Sequence, residues 1–300
     1  MELFDGDSEN RKEWQNMIYI GCHLSIADGY EAMGKTMSRF GGNTFAWFTR
    51  NPRGGRTKQI SFEDVAALQV HLQKEHFGIV VAHGSYTMNL CSAREETRQN
   101  ARDMLRQDLK IMELLPGNYY NFHPGAHTGQ GAETGICQIA EALNDVMTPD
   151  METTILLETM AGKGSEIGAT FEELREIIDR VECSDRIGVC FDTCHTWDAG
   201  YDLANDPEGV LKHFDDVVGI QRLKAVHFND SKNEKGAHKD RHEKLGQGRI
   251  GMEAMKRIAL NPKLQGLPFV LETPNDDAGY IGEIHTVLGW MEESEDTVVL

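Results

Sequence analysis

Residues 226–251, VHFNDSKNEKGAHKDRHEKLGQGRIG, crowd three His, several carboxylates and a run of Gly into one stretch without apolar periodicity. A surface loop has no need of that mixture. Imidazole with carboxylate oxygen is the ligand chemistry of zinc or manganese. The same residue types recur along the chain, most of them just after a short apolar run and two in the charged loop after the seventh. They are His83, His123 in NFHPGAH, Glu158 in ILLETMAG, Asp192 and His195 in FDTCH, His227 in VHFND, Asp240 and His242 in KDRH, and Glu272 in VLETP.

Taken singly, most of these read as hydrogen-bonded or solvated surface groups. Taken together, five His and four carboxylates change the reading. Four carboxylates in one concave site would repel strongly unless cations lay between them. Asp192 and His195 are three apart, so one helical turn brings them to one side. Asp240 and His242 are two apart, so an extended segment points both the same way. Nine ligands exceed what a single tetrahedral ion uses. Three ions with one bridging carboxylate accommodate them and leave positions for water and substrate.

The elements that must position these groups alternate between short β-like and longer helix-like runs. Strands are predicted at 17–22, 43–48, 79–82, 119–122, 153–157, 187–191, 223–228 and 268–271. Helices are predicted at 27–38, 61–76, 92–115, 129–147, 170–182, 207–219, 251–260 and 279–292. Thr170 with Glu173 forms a capping-box signal for one of them. Eight strands, each followed by a helix, indicate an α/β chain closed as a (β/α)8 TIM barrel, with an open doubly wound sheet as the alternative. In such a barrel the nine residues meet at the C-terminal mouth.

The chain has 300 residues with no linker, repeat or low-complexity tract. Residues 1–16 read as a polar overhang and 17–300 as one catalytic domain. No apolar run approaches a membrane span, and the N-terminus lacks signal or transit character. Six Cys without paired spacing suggest a reduced, cytoplasmic protein. A net charge of −18 argues against a nucleic-acid partner. Bound divalent cations would offset part of it, and 49–58, TRNPRGGRTK, holds four basic residues and no acid. Gly246-x-Gly248-x-x-Gly251 matches a dinucleotide fingerprint only formally, because it follows a charged loop rather than a strand. That run and AGKGSEIG could cradle a phosphate on backbone N–H groups or be plain turns.

GCHLS, FTRNPR, AHGSYTMNL, FHPGAH, LLETMAGKGSEIG, GVCFDTCHTWDAGYDL, VHFNDSK, KDRHEKLGQGRIG and VLETP occur in order from about residue 18 to 292. In this the chain resembles the endonuclease IV family of apurinic/apyrimidinic endonucleases. The resemblance implies a TIM barrel with three Zn2+, Mn2+ being admissible at one position. It implies His83 and His123 on one ion, with Glu158 bridging to a second completed by Asp192, His227 and Glu272. His195, Asp240 and His242 would hold the third. Arg53 and Tyr86 match residues that contact DNA, whereas Thr87 and Gly54 depart from the family pattern. The implied reaction is hydrolysis of the phosphodiester 5′ to an abasic site in duplex DNA, with Glu158 catalytic. It leaves a 3′-OH and a 5′-deoxyribose phosphate, and the same site removes 3′-blocking groups. A monomer is expected. One rival is a sugar isomerase or epimerase of the same barrel class, needing only Glu158, Asp192, His227 and Glu272. The other is a non-catalytic zinc-dependent DNA-binding protein.

Overall fold

A computed structural model describes residues 18–55 and 60–298. Seven parallel strands come first: β1 (Tyr19–Leu24), β2 (Ala46–Phe48), β3 (Val81–His83), β4 (Tyr119–Phe122), β5 (Thr154–Glu158), β6 (Ile187–Asp192) and β7 (Leu223–His227). A short antiparallel ribbon follows, β8 (Asp230–Ser231) with β9 (His242–Glu243), and then the last barrel strand, β10 (Pro268–Leu271). The barrel closes in the order β1-β10-β7-β6-β5-β4-β3-β2. Closure rules out the open doubly wound sheet.

The helices are α1 (Tyr30–Phe40), α2 (Phe62–Lys74), α3 (Glu95–Met112), α4 (Ala132–Val146), α5 (Phe171–Asp179), α6 (Thr193–Ala199), α7 (Pro207–Val217), α8 (Met252–Ala259) and α9 (Asp277–Val298). Every predicted strand and helix forms, with ends displaced by a few residues. Helix α6 extends the single helical turn expected between Asp192 and His195, and the ribbon was not foreseen. The expected cap of α5 is present: Thr170 Oγ1 accepts the Glu173 N–H at 3.2 Å. Glu173 Oε2 accepts the N–H groups of Gly168 and Ala169, at 2.8 and 3.0 Å, rather than that of Thr170. The expected N-terminal overhang lies outside the described residues. Among the described residues no helix is long and apolar enough to cross a membrane.

Two apolar layers hold the barrel. Outside it, alternate strand residues such as Trp47, Tyr120, Phe122 and Phe191 meet the apolar stripes of the helices. On α5 that stripe is Phe171, Leu174, Ile177 and Ile178, all buried. Each such side chain contributes about 2 kcal/mol by leaving water. Inside the barrel, Ala46, Val81, Leu156, Cys190, Ala225 and Val270 pack together with half-buried Tyr119. Side chains alternate along a strand, so two positions onward the same inner face carries Phe48, His83, Glu158, Asp192, His227 and Glu272. The apolar layer is therefore the floor of the site. Gly21 allows close approach here: a Cβ on it would lie 1.7 Å from the Thr44 carbonyl oxygen.

The basic stretch 49–58 is not a uniform cationic surface. Arg50 is buried and bonds Asp108 Oδ1 through Nη2 at 2.6 Å and Nε at 3.1 Å. The Tyr120 hydroxyl donates to the other Asp108 oxygen at 2.8 Å. Arg56 and Lys58 lie outside the described residues. Removing the negative partner strands a buried guanidinium. Asp108→Asn is expected to lower unfolding free energy by about 3 kcal/mol or more, read from urea denaturation. A loss below about 1 kcal/mol would show that water reaches the pair.

Candidate metal centre

All nine residues read from the sequence converge at the C-terminal mouth. Glu158, at the end of β5, is completely buried and lies at the middle. Its Oε2 is 3.1 Å from His83 Nε2 and 3.3 Å from His123 Nε2. Its Oε1 is 3.0 Å from His227 Nδ1 and 3.3 Å from His195 Nδ1. His227 Nδ1 is also 3.3 Å from Glu272 Oε2 and 3.9 Å from Asp192 Oδ2. On the outer side, His195 Nε2 is 3.1 Å from Asp240 Oδ1. His242 Nε2 stands 3.6 Å from Asp240 Oδ1 and 3.7 Å from Asp192 Oδ2.

Surrounding groups set these orientations. His83 Nδ1 faces the Gly84 carbonyl at 2.7 Å, and His242 Nδ1 faces that of Glu272 at 3.2 Å. Each contact places the N–H on Nδ1 and turns Nε2 inward as a lone-pair donor. Asn121 donates to Glu158 Oε2 at 2.6 Å, and Asn229 donates to Asp192 Oδ2 at 2.8 Å. Asp192 also caps α6, accepting the His195 N–H at 2.6 Å. The i, i+3 spacing is thus realised by a helix that starts at one candidate ligand and carries the next.

Asp240 and His242 arrive differently from expectation. Asp240 has φ +55°, so the segment is not extended there. The buried Asp198 carboxylate holds this loop: Oδ2 accepts the Asp240 N–H at 2.8 Å, and Oδ1 accepts the Ser231 hydroxyl at 2.7 Å. Sequence reasoning missed Asp198, Asn121 and Asn229. They lie in or beside the recognised motifs, yet only three-dimensional contacts assign them a task. The GQGRIG run wraps around Asp230, whose oxygens accept the N–H groups of Gly248, Ile250 and Gly251 at 2.9 to 3.2 Å. Those donors are taken by a carboxylate, which overturns the phosphate cradle considered for this run.

The donor set fits divalent metal. Four groups of potential ligand atoms cluster here: His83–Glu158–His227, Glu158–Asp192–His227–Glu272, His195–Asp240–His242, and Asp192–Cys194–His242. Buried His242 Nε2 has no hydrogen-bond partner among the described residues. It faces two carboxylates from just beyond hydrogen-bond reach, as a ligand across an ion would. Cys194 is buried in the last of these groups, and burial pushes its thiol well up in the metal-free protein.

The charges interlock. Burial favours neutral Glu158, but the His227 and His123 charges hold it well below the usual carboxylate range. Burial likewise opposes the charge on Glu272, yet His227 and His23 draw it down to about 2. Asp192 is raised, burial outweighing His195 and His242. Burial lowers His195 less than Asp192 and Asp240 raise it, so it stays well above the usual range. His227 is also held well up, with Cys190, Glu272 and Glu158 outweighing burial. Without metal, protons on imidazoles separate the carboxylates, and a divalent ion would take the place of those protons.

The DNA-contact expectations fall on two joined loops. Arg53 is exposed after β2, its N–H on Asn51 Oδ1 at 2.9 Å. Tyr86, 55% exposed, packs edge-on against Phe48 with centroids 4.9 Å apart and lies 5.5 Å from the His123 ring. The Tyr86 N–H and the Ser85 hydroxyl both bond the Pro52 carbonyl at 3.0 Å. A Cβ on Gly54 would meet Thr87 Oγ1 at 2.9 Å, so the two departures from the family pattern are spatial neighbours. The cavity over the centre measures about 530 Å³, with Tyr86, Lys163 and Arg241 among its walls.

A family model described as a xylose isomerase-like TIM barrel matches residues 35–295. The probable endonuclease 4 of Alkaliphilus oremlandii is 53% identical over 89% of this chain and 95% of its own. That of Akkermansia muciniphila is 52% identical over 92% and 99%. The crystal structure of endonuclease IV from Thermus thermophilus superposes with a TM-score of 0.81 at 35% identity, covering 92% of this chain and 99% of that one. A D-psicose 3-epimerase from Clostridium cellulolyticum shares the fold at 13% identity, with a TM-score of 0.66 over 92% and 99%. Identity near one half across almost the full length of both partners, on a barrel with this mouth, places the chain in the endonuclease IV family of DNA phosphodiester hydrolases.

Proposed function

We propose that this chain incises duplex DNA at abasic sites, cutting the phosphodiester 5′ to the lesion in base excision repair. The products are a 3′-OH and a 5′-deoxyribose phosphate, and the same centre clears 3′-blocking groups. The carrying observation is the single network of nine candidate ligands around Glu158. A sugar epimerase would use Glu158, Asp192, His227 and Glu272 and would leave the other five without a task. The cofactor of this reading is three Zn2+, with Mn2+ admissible at one position. His83 and His123 would hold one ion, Glu158, Asp192, His227 and Glu272 another, and His195, Asp240 and His242 the third.

When bound, the metal supplies Lewis acidity, making water nucleophilic near neutral pH and balancing charge that develops on phosphate oxygens. The chain's own residues provide position. Asn121 fixes one oxygen of Glu158, so this catalytic carboxylate keeps its aim. Tyr86, braced by Phe48, stands at the rim where an abasic nucleotide leaves the stack at low cost, no base being lost from pairing. Arg53 holds the DNA backbone. The working unit is residues 17–300, taken as a cytoplasmic monomer; its six free cysteines suit a reducing compartment.

Purified protein is expected to contain about three zinc per chain, by elemental analysis, and to nick an abasic duplex on its 5′ side. Glu158→Gln is expected to lower kcat at least about a hundredfold. Wild-type cutting by that variant, or ketose epimerisation without nicking, would replace this reading. Metal uptake has a defined pH sign. His195 and His227 carry protons up to their raised values, so those protons must leave when metal enters. Calorimetry of the stripped protein in buffers of different ionisation enthalpy should show proton release, with affinity rising as pH rises. Uptake without release would mean that these imidazoles are not ligands.

A further inference from the structure

Lys163, in the AGKGSEIG loop after β5, has no part in the reading above. Its Nζ lies 3.3 Å from Asp240 Oδ2 and 3.5 Å from Glu166 Oε1. The side chain is about half exposed and lines the cavity over the centre. Its backbone is held firmly. The Met160 N–H reaches the Gly168 carbonyl at 2.9 Å and closes the loop base. The Ile167 N–H bonds Gly125 O and the His127 N–H bonds Ser165 O, both at 2.9 Å, tying the loop to the one after β4. Lys163's own N–H donates to Glu166 Oε2 at 2.8 Å.

The two oxygens of Asp240 are divided, Oδ1 toward His195 and Oδ2 toward Lys163. A half-exposed ion pair of this kind adds little stability, so folding does not account for a lysine here. On the metal reading of the centre, Asp240's charge is largely balanced by the ion it serves. The ammonium then keeps Glu166, at 3.5 Å, as its remaining anionic neighbour, and it faces the cavity that an anionic substrate enters. A lysine ammonium binds phosphate as a point charge.

We propose that Lys163 is a substrate-contacting residue whose ammonium holds a non-bridging oxygen of the scissile phosphate, beside His195, Asp240 and His242. It transfers no proton and forms no covalent bond. The inference rests on the abasic-site reading and is separable from it.

The test compares metal-loaded wild type, Lys163→Gln and Lys163→Arg in three measurements. These are bound metal, affinity for the nicked product duplex against salt by fluorescence anisotropy, and kcat/KM on an abasic duplex. Lys163→Gln should keep its metal, and its log–log salt slope should be shallower by about 0.9. Its kcat/KM should fall roughly tenfold or more. Lys163→Arg should recover the slope and part of the rate. A glutamine variant with wild-type slope and rate overturns the assignment. So does one that loses metal, since the lysine would then act through Asp240. A wild-type protein that leaves abasic DNA intact defeats the functional reading itself, a different outcome from the loss of the lysine alone.

Discussion

Carboxylates packed at the mouth of a barrel cannot all stay ionised unless positive charge stands between them. Glu158 and Asp192 are completely buried, and Asp240 and Glu272 join them within the same network. The chain answers this constraint by interleaving five imidazoles with four carboxylates. Protons or divalent ions can then occupy the spaces between. The surrounding amides, Asn121 and Asn229, donate hydrogen bonds without adding charge. They fix carboxylate direction while leaving the balance of charge to whatever occupies the centre.

The barrel makes such a site possible at modest cost elsewhere. Its interior holds six small or branched apolar side chains with half-buried Tyr119, which form an apolar floor under the layer of candidate ligands. The period of two along each strand then lifts the next inward residue to the mouth. Parallel closure makes those residues converge, because all C-terminal ends open on one face. Two candidate ligands come instead from beyond the ribbon strand β8: Asp240 from the loop, where the backbone adopts φ +55° under the hold of Asp198, and His242 from the start of β9.

An acidic chain that works on DNA must concentrate its attraction. With a net charge of −18, the long-range field disfavours a polyanion. The basic stretch near β2 helps less than its composition suggests, because Arg50 is neutralised by buried Asp108. Arg53, Lys163 and Arg241 lie at or near the mouth. Attraction is thus short-ranged and directed at the cavity, where a bound metal would add to it.

The barrel was legible in the chain because strand and helix periods alternate cleanly, and because local caps such as Thr170 with Glu173 act within a few residues. The nine convergent residues were legible because most lie at or just past the end of a barrel strand and the others sit within a few residues of a recognised ligand type. Contacts between segments far apart in sequence were not. The Gly run at 246–251 advertised free backbone donors, and only the fold brings Asp230 to occupy them. Arg50 is one of four basic residues in 49–58, and only α3 brings Asp108 to neutralise it. Asp198, Asn121 and Asn229 carry no signal of their own, since a polar residue acquires its partner only when separate strands meet. Periodicity and residue chemistry along the chain determined which groups reach the mouth. The tertiary structure decided which polar groups remain open to a ligand, because hydrogen-bond and charge partners are chosen across space.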